Sequence, residues 1–92
     1  MTFKRLVLNK RNGPTPPGSV YVGRPSKWGN PFVIGVNGTR ADVVEKYRNW
    51  LLTQPRLLAE LPELRGKYLV CWCAPELCHA EVLAEMANGE IP

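Results

Sequence analysis

The run Tyr68-Leu69-Val70-Cys71-Trp72-Cys73 carries no charge and no amide, and it limits what this chain can become more than any other segment. Successive side chains of a strand point to opposite faces, so a strand apolar at nearly every position needs cover on both. In a chain of 92 residues that makes it the central strand of one small domain, since single-core domains run to about 100–150 residues. The remaining chain supplies neighbours and cover. Phe3–Asn9 and Ser19–Val22 read as short strands, and Phe32–Ile34 as a further candidate. Thr39 with Asp42 three residues on resembles a capping box, and Val43, Val44, Tyr47, Trp50 and Leu51 then repeat at helical spacing up to the turn before Pro55. Leu57, Leu58, Leu61 and Leu64 suggest a shorter helix, interrupted by Pro62 and ending near Gly66. A last helix runs from Leu77 or Cys78 to Ala87, with Val82, Leu83 and Met86 turned inward. The expectation is an α/β domain with a short sheet of three to four strands and two to three helices. Residues 1–18 read as an N-terminal strand and proline-rich arm, and residues 19–92 as the compact domain.

Charge is unevenly distributed. Residues 1–40 hold seven basic side chains (Lys4, Arg5, Lys10, Arg11, Arg24, Lys27, Arg40) and no acid, whereas residues 41–92 hold five basic against eight acidic, a net of −3. An acid-free half points to an anionic partner: phosphate, nucleotide or nucleic acid. No apolar run approaches the ~20 residues needed to span a bilayer. The expected setting is therefore cytoplasmic, with no membrane partner. Three cysteines, all within residues 71–78, do not look like the disulfide framework of a secreted scaffold.

The sole histidine, His79, directly follows Cys78. Cys71 and Cys73 share one strand face, after which the chain turns through Ala74-Pro75-Glu76 and enters a helix near Cys78. The carboxyl end of a strand is where α/β folds build ligand sites, and a helix N-terminus favours thiolates and bound anions. Three readings remain open. Cys78 could be a reactive thiolate, with His79 as proton carrier and Cys73 on the facing strand end. Cys71, Cys73, Cys78 and His79 could hold a metal, zinc being the ion to consider. The spacing is not a usual zinc pattern, and strand residues i and i+2 stand about 6.6 Å apart against roughly 3.8 Å between two sulfurs on zinc. Or the cysteines pack the core while His79 satisfies a backbone carbonyl. No other cofactor is expected.

The segment Gly23-Arg24-Pro25-Ser26-Lys27-Trp28-Gly29-Asn30-Pro31 also leaves a strand. Arg24, Ser26, Lys27 and Asn30 supply a guanidinium fork, a hydroxyl, an ammonium and an amide, the donors an anion pocket uses, and Trp28 could stack on a base or close the site. The segment matches neither the Walker A pattern nor G-x-G-x-x-G. Solvated cations and a core-filling Trp28 are the plainer alternative.

Together, Tyr21-Val22-Gly23-Arg24-Pro25-Ser26-Lys27-Trp28-Gly29-Asn30-Pro31-Phe32, Leu64–Pro75 and Cys78-His79 resemble the family named domain of unknown function 4326 (DUF4326), small bacterial and bacteriophage proteins with a G-R-P-S-K-W-G-N-P block and a C-W-C-x-P-x-x-C-H block. The resemblance covers about residues 19–87, including the Tyr47–Leu51 helix. After Cys-His, many members have Gly-Asp where this chain has Ala80-Glu81. The last block is also similar, more weakly, to domain of unknown function 488. The resemblance implies a shared site and brings no established activity. Three functions follow as expectations: a nucleotide- or nucleoside-processing enzyme with a Cys/His site, a non-catalytic nucleotide or nucleic-acid binding module, or a small phage-type protein that binds a host protein, with the cysteines structural.

Overall fold

A computed structural model describes residues 6–72 and 78–89. Three short strands form one parallel sheet in the order β1 (Val7–Asn9), β3 (Leu69–Cys71), β2 (Val20–Tyr21). Val7 and Val20 both pair with Leu69, and Leu8 and Tyr21 with Val70. The central position of β3 follows from its composition, since Leu69, Val70 and Cys71 are all buried and only an interior strand offers cover on both faces. Leu69 and Cys71 belong to the main core, while Val70 faces a concavity beneath the proline-rich loop, with Lys10, Pro14 and Tyr21. β1 and β2 form the two edges of this sheet, on either side of the proline-rich loop in sequence.

Helix α1 (Arg40–Leu51) starts at the capping box its sequence announces: the Thr39 hydroxyl accepts from the Asp42 N–H, and the Asp42 carboxylate accepts from the Thr39 N–H. Hydrogen bonding to the carboxylate, from the Thr39 N–H first and the Thr39 hydroxyl second, holds the Asp42 carboxyl below its ordinary value. Pro55 opens the short helix α2 (Pro55–Glu60), which tightens into a 3-10 turn at Leu61–Leu64. Helix α3 (His79–Ala87) packs on β1 and β3 and against α1. Arg48 of α1 reaches Glu85 of α3 at 2.9 Å, and the Arg65 guanidinium donates to the Ala87 carbonyl at the end of α3.

Phe32–Ile34 does not form a strand. The Val33 carbonyl accepts from Val36 and Asn37 N–H groups, and the Asn37 side chain takes the Val33 N–H at 2.8 Å. Gly35 completes this local turn at a φ of 89°. Backbone groups satisfied this way have none left for a sheet ladder.

Candidate functional site at the carboxyl ends of β2 and β3

The chain leaves β2 at Val22-Gly23-Arg24 and leaves β3 at Trp72, and side-chain contacts tie the two exits together. Tyr21 folds back over Gly23, its hydroxyl donating to the Arg24 carbonyl at 2.7 Å and accepting from the Trp72 indole at 3.1 Å. A Cβ on residue 23 would lie 2.5 Å from that hydroxyl oxygen, so any other residue there would push the tyrosine ring from this position. Asn9, at the end of β1, donates to the Trp72 carbonyl at 3.2 Å. All three strand ends thus meet at one rim.

There a cleft of about 290 Å³ opens between the sheet and α1. Phe32, Ile34, Val43 and Val44 give it apolar walls, Tyr21 and Trp72 add aromatic surface, Arg24 and Arg40 bring two guanidinium groups, and Cys71 and His79 complete the lining. The two sequence blocks, roughly fifty residues apart, therefore both line one concavity.

The first block is divided between different tasks. Arg24 lines the cleft. Asn30 does too, but its amide is engaged in bracing the fold: it donates to the Val43 carbonyl at 3.1 Å and accepts from the Phe32 N–H at 2.9 Å. Ser26 turns inward on its own loop, donating to the Gly23 carbonyl. Trp28 is only 3% exposed and belongs to the core, where its carbonyl accepts from the buried Tyr47 hydroxyl at 2.7 Å. Lys27 points away from the cleft to Glu60 at 2.8 Å and Glu63 at 3.6 Å. The hydrogen bond to Glu60, chiefly, holds its ammonium above the ordinary value. Neither Ser26, Lys27 nor Trp28 reaches the cleft.

The second block converges. Cys78 caps α3, and its sulfur lies 3.1 Å from the Cys71 sulfur and 3.5 Å from His79 Nδ1. His79 Nε2 lies 2.8 Å from the Val22 carbonyl. A carbonyl only accepts, so Nε2 carries the hydrogen and, in the neutral ring, Nδ1 is left as an acceptor facing Cys78. The tautomer is thus fixed by β2. Tyr47 meets the imidazole edge-on at 5.0 Å between ring centres, which holds its plane. The Tyr47 phenol is raised well above its ordinary value by burial first and by the neighbouring Cys78 second, so it stays a hydrogen-bond donor.

Cys78 is 1% exposed and is not among the residues lining the cleft, whereas Cys71 and His79 are. Cys71, whose sequence position fits core packing, is the thiol beside the cavity. Cys73 lies outside the described residues. Among the described residues no three His, Cys, Asp or Glu side chains are arranged to hold a metal ion. The imidazole satisfies a backbone carbonyl through Nε2 and faces a thiol through Nδ1. Tyr21, Phe32 and Trp72 lie within the two sequence blocks without having been named as site residues, and Arg40 joins the site from outside both. Arg40 had one signal, its place among the seven cations of the acid-free half.

Comparison with known proteins adds relatives without an assigned activity. Uncharacterized protein R718 of Acanthamoeba polyphaga mimivirus is 38% identical over 64 aligned residues, which span 59% of this chain and 48% of that protein. The chain thus covers about half the length of this viral relative. No solved structure matches it. The model of the domain of unknown function DUF4326 matches residues 7–89, from the first strand to the end of the last helix, and the chain belongs to that family.

Proposed function

We propose that the protein binds a small nucleotide, seating its base against the apolar and aromatic walls of the cleft and its phosphate between Arg24 and Arg40. The observation that carries this reading is the convergence of two arginines and three aromatic residues, Tyr21, Phe32 and Trp72, on one cavity at the carboxyl ends of parallel strands. Strand ends of parallel sheets are where α/β folds receive ligands. Arginine is suited to phosphate by its planar fork, and aromatic faces stack on any base. A volume of about 290 Å³ stands at the lower end of ligand pockets, about 300–1,000 Å³, which favours a mononucleotide over a dinucleotide. Cys71 and His79 at the base of the cleft would then adjoin the ligand, and a nucleotide-processing reaction using them is the enzymatic form of the same proposal.

The test is calorimetric titration with nucleoside monophosphates, the corresponding nucleosides and inorganic phosphate, repeated on Arg24→Ala. Charge-assisted hydrogen bonds contribute about 1.5–3 kcal/mol, so the variant should bind a monophosphate roughly ten-fold or more weakly while its affinity for the nucleoside is unchanged. Absence of binding by every nucleotide, or an Arg24→Ala variant that binds as wild type, would sink the proposal.

Single-stranded nucleic acid is the second reading, and one observation favours it. Lys10 sits over the Tyr21 ring at 5.0 Å and Arg11 over the Trp72 ring at 6.0 Å, so two further cations flank the aromatic rim. This reading requires affinity for an oligonucleotide that falls steeply with salt. The mononucleotide reading requires a shallow dependence and no gain from added nucleotides.

A further inference from the structure

We propose that Cys71 and Cys78 are a redox-active pair that reduces a small hydroperoxide and closes to an intramolecular disulfide. Their sulfurs are already in contact at 3.1 Å, across the junction between the end of β3 and the cap of α3. A disulfide bond is about 2.05 Å long, so about 1 Å of approach separates the reduced pair from the bond. Nothing in the nucleotide reading uses this contact, and the proposal stands whether or not the cleft binds a nucleotide.

Three features divide the labour. Cys71 lines the cleft and is the thiol that a small oxidant meets. Cys78, behind it, is the resolving thiol. His79 Nδ1, made an acceptor by the hydrogen bond from Nε2 to the Val22 carbonyl, takes up the proton. Cys71 passes its proton to the Cys78 sulfur as Cys78 releases its own to Nδ1. The Cys71 thiolate then attacks one peroxide oxygen and the O–O bond breaks. Cys71 becomes a sulfenic acid, and the leaving hydroxide (or alkoxide) takes the proton from Nδ1. In the second step Cys78 again gives its proton to Nδ1, and its sulfur attacks the Cys71 sulfur. The S–O bond breaks, and the departing hydroxide leaves as water with that proton. Two thiols are oxidised to one disulfide, and hydrogen peroxide is reduced to two waters. The oxidant must be small, because Cys71 is 1% exposed and borders the cavity.

The experiment treats reduced protein with stoichiometric hydrogen peroxide, alkylates the remaining thiols, and maps the products by tandem mass spectrometry, on wild type and on Cys73→Ser. Expected in wild type is loss of two of the three alkylatable thiols, a Cys71–Cys78 link in the monomer, and full recovery with dithiothreitol. Cys73→Ser should form the same link, and glutathione disulfide should react far more slowly than peroxide. A link that uses Cys73, a bond between chains, over-oxidation of single cysteines, or no reaction overturns the proposal. Equal reaction with glutathione disulfide would also overturn it, by showing that the thiols are reached through opening of the fold.

Discussion

The loop after β2 and the meeting of the β3 end with the α3 start are both rich in reactive or charged side chains, yet they are built on opposite plans. Residues 24–30 disperse: Arg24 goes to the cleft, Ser26 to its own backbone, Lys27 to α2 and the following 3-10 turn, Trp28 to the core. Cys71, Cys78 and His79 gather around one another. The difference comes from geometry. Consecutive residues of an irregular loop point in unrelated directions, whereas a strand end facing a helix start presents side chains from two fixed elements to the same point. A donor-rich loop is therefore weaker grounds for a binding site than two elements that converge.

The sharpest way to break this comparison is Trp28. If it served a ligand, its removal would weaken binding and spare the fold. Buried at 3% exposure, with its carbonyl bonded to Tyr47, it should do the reverse. Trp28→Ala is expected to lower unfolding stability in urea by about 3–5 kcal/mol, the usual cost of deleting a buried large aromatic. An unchanged urea midpoint would return Trp28 to the list of ligand contacts.

Asn30 is the intermediate case, lining the cleft while its amide bridges Val43 and Phe32. Asn30→Ala leaves the Val43 carbonyl and the Phe32 N–H without that partner, at a cost of about 1–3 kcal/mol. Asn30→Asp keeps the acceptor and loses the donor, so it should fall between wild type and Asn30→Ala in the same urea titration. Equal stability of all three would mean that the amide braces nothing.

The contrast between the two regions also explains what was legible in the sequence. Apolar patterning declared β3 and its central place, the capping box declared the start of α1, and Pro55 its limit. The end of β3 and the start of α3 could be placed because an apolar strand and an apolar-faced helix each declare themselves by spacing. Phe32–Ile34 misled because β-forming residues carry no sign of the Asn37 side chain that takes the Val33 N–H. The fates of Lys27 and Trp28 were illegible for a related reason. Glu60 and Glu63 lie more than thirty residues away, and only tertiary packing brings them to the loop. The lining role of Arg40 likewise depends on where α1 lands.

Arg24 and Lys27 make the finest comparison, two cations three residues apart with different partners. Lys27→Met should leave nucleotide affinity unchanged where Arg24→Ala weakens it, because Lys27 faces Glu60 and Glu63 outside the cleft. Its effect on stability is the smallest considered, as its side chain is about half exposed, at 48%, and solvent screens such pairs. The sign of its pH dependence follows from its pairing. The folded pKa is raised above the ordinary 10.5, so the folded state holds the proton more tightly than the unfolded chain. The contribution is then fully present below about pH 10.5 and is lost as pH rises through the higher folded value. Wild type and Lys27→Met should differ by the same small margin in urea midpoint from pH 6 to pH 9, roughly, and converge only in stronger alkali. Added salt should narrow the margin at neutral pH as well, since an exposed pair is screened within about 10 Å at 0.1 M. A margin that widened with salt or peaked in alkali would show that Lys27 acts through something other than its two carboxylates. A loss of nucleotide affinity in Lys27→Met would place it functionally beside Arg24, and the dispersal of the loop would no longer separate it from the convergent cluster of Cys71, Cys78 and His79.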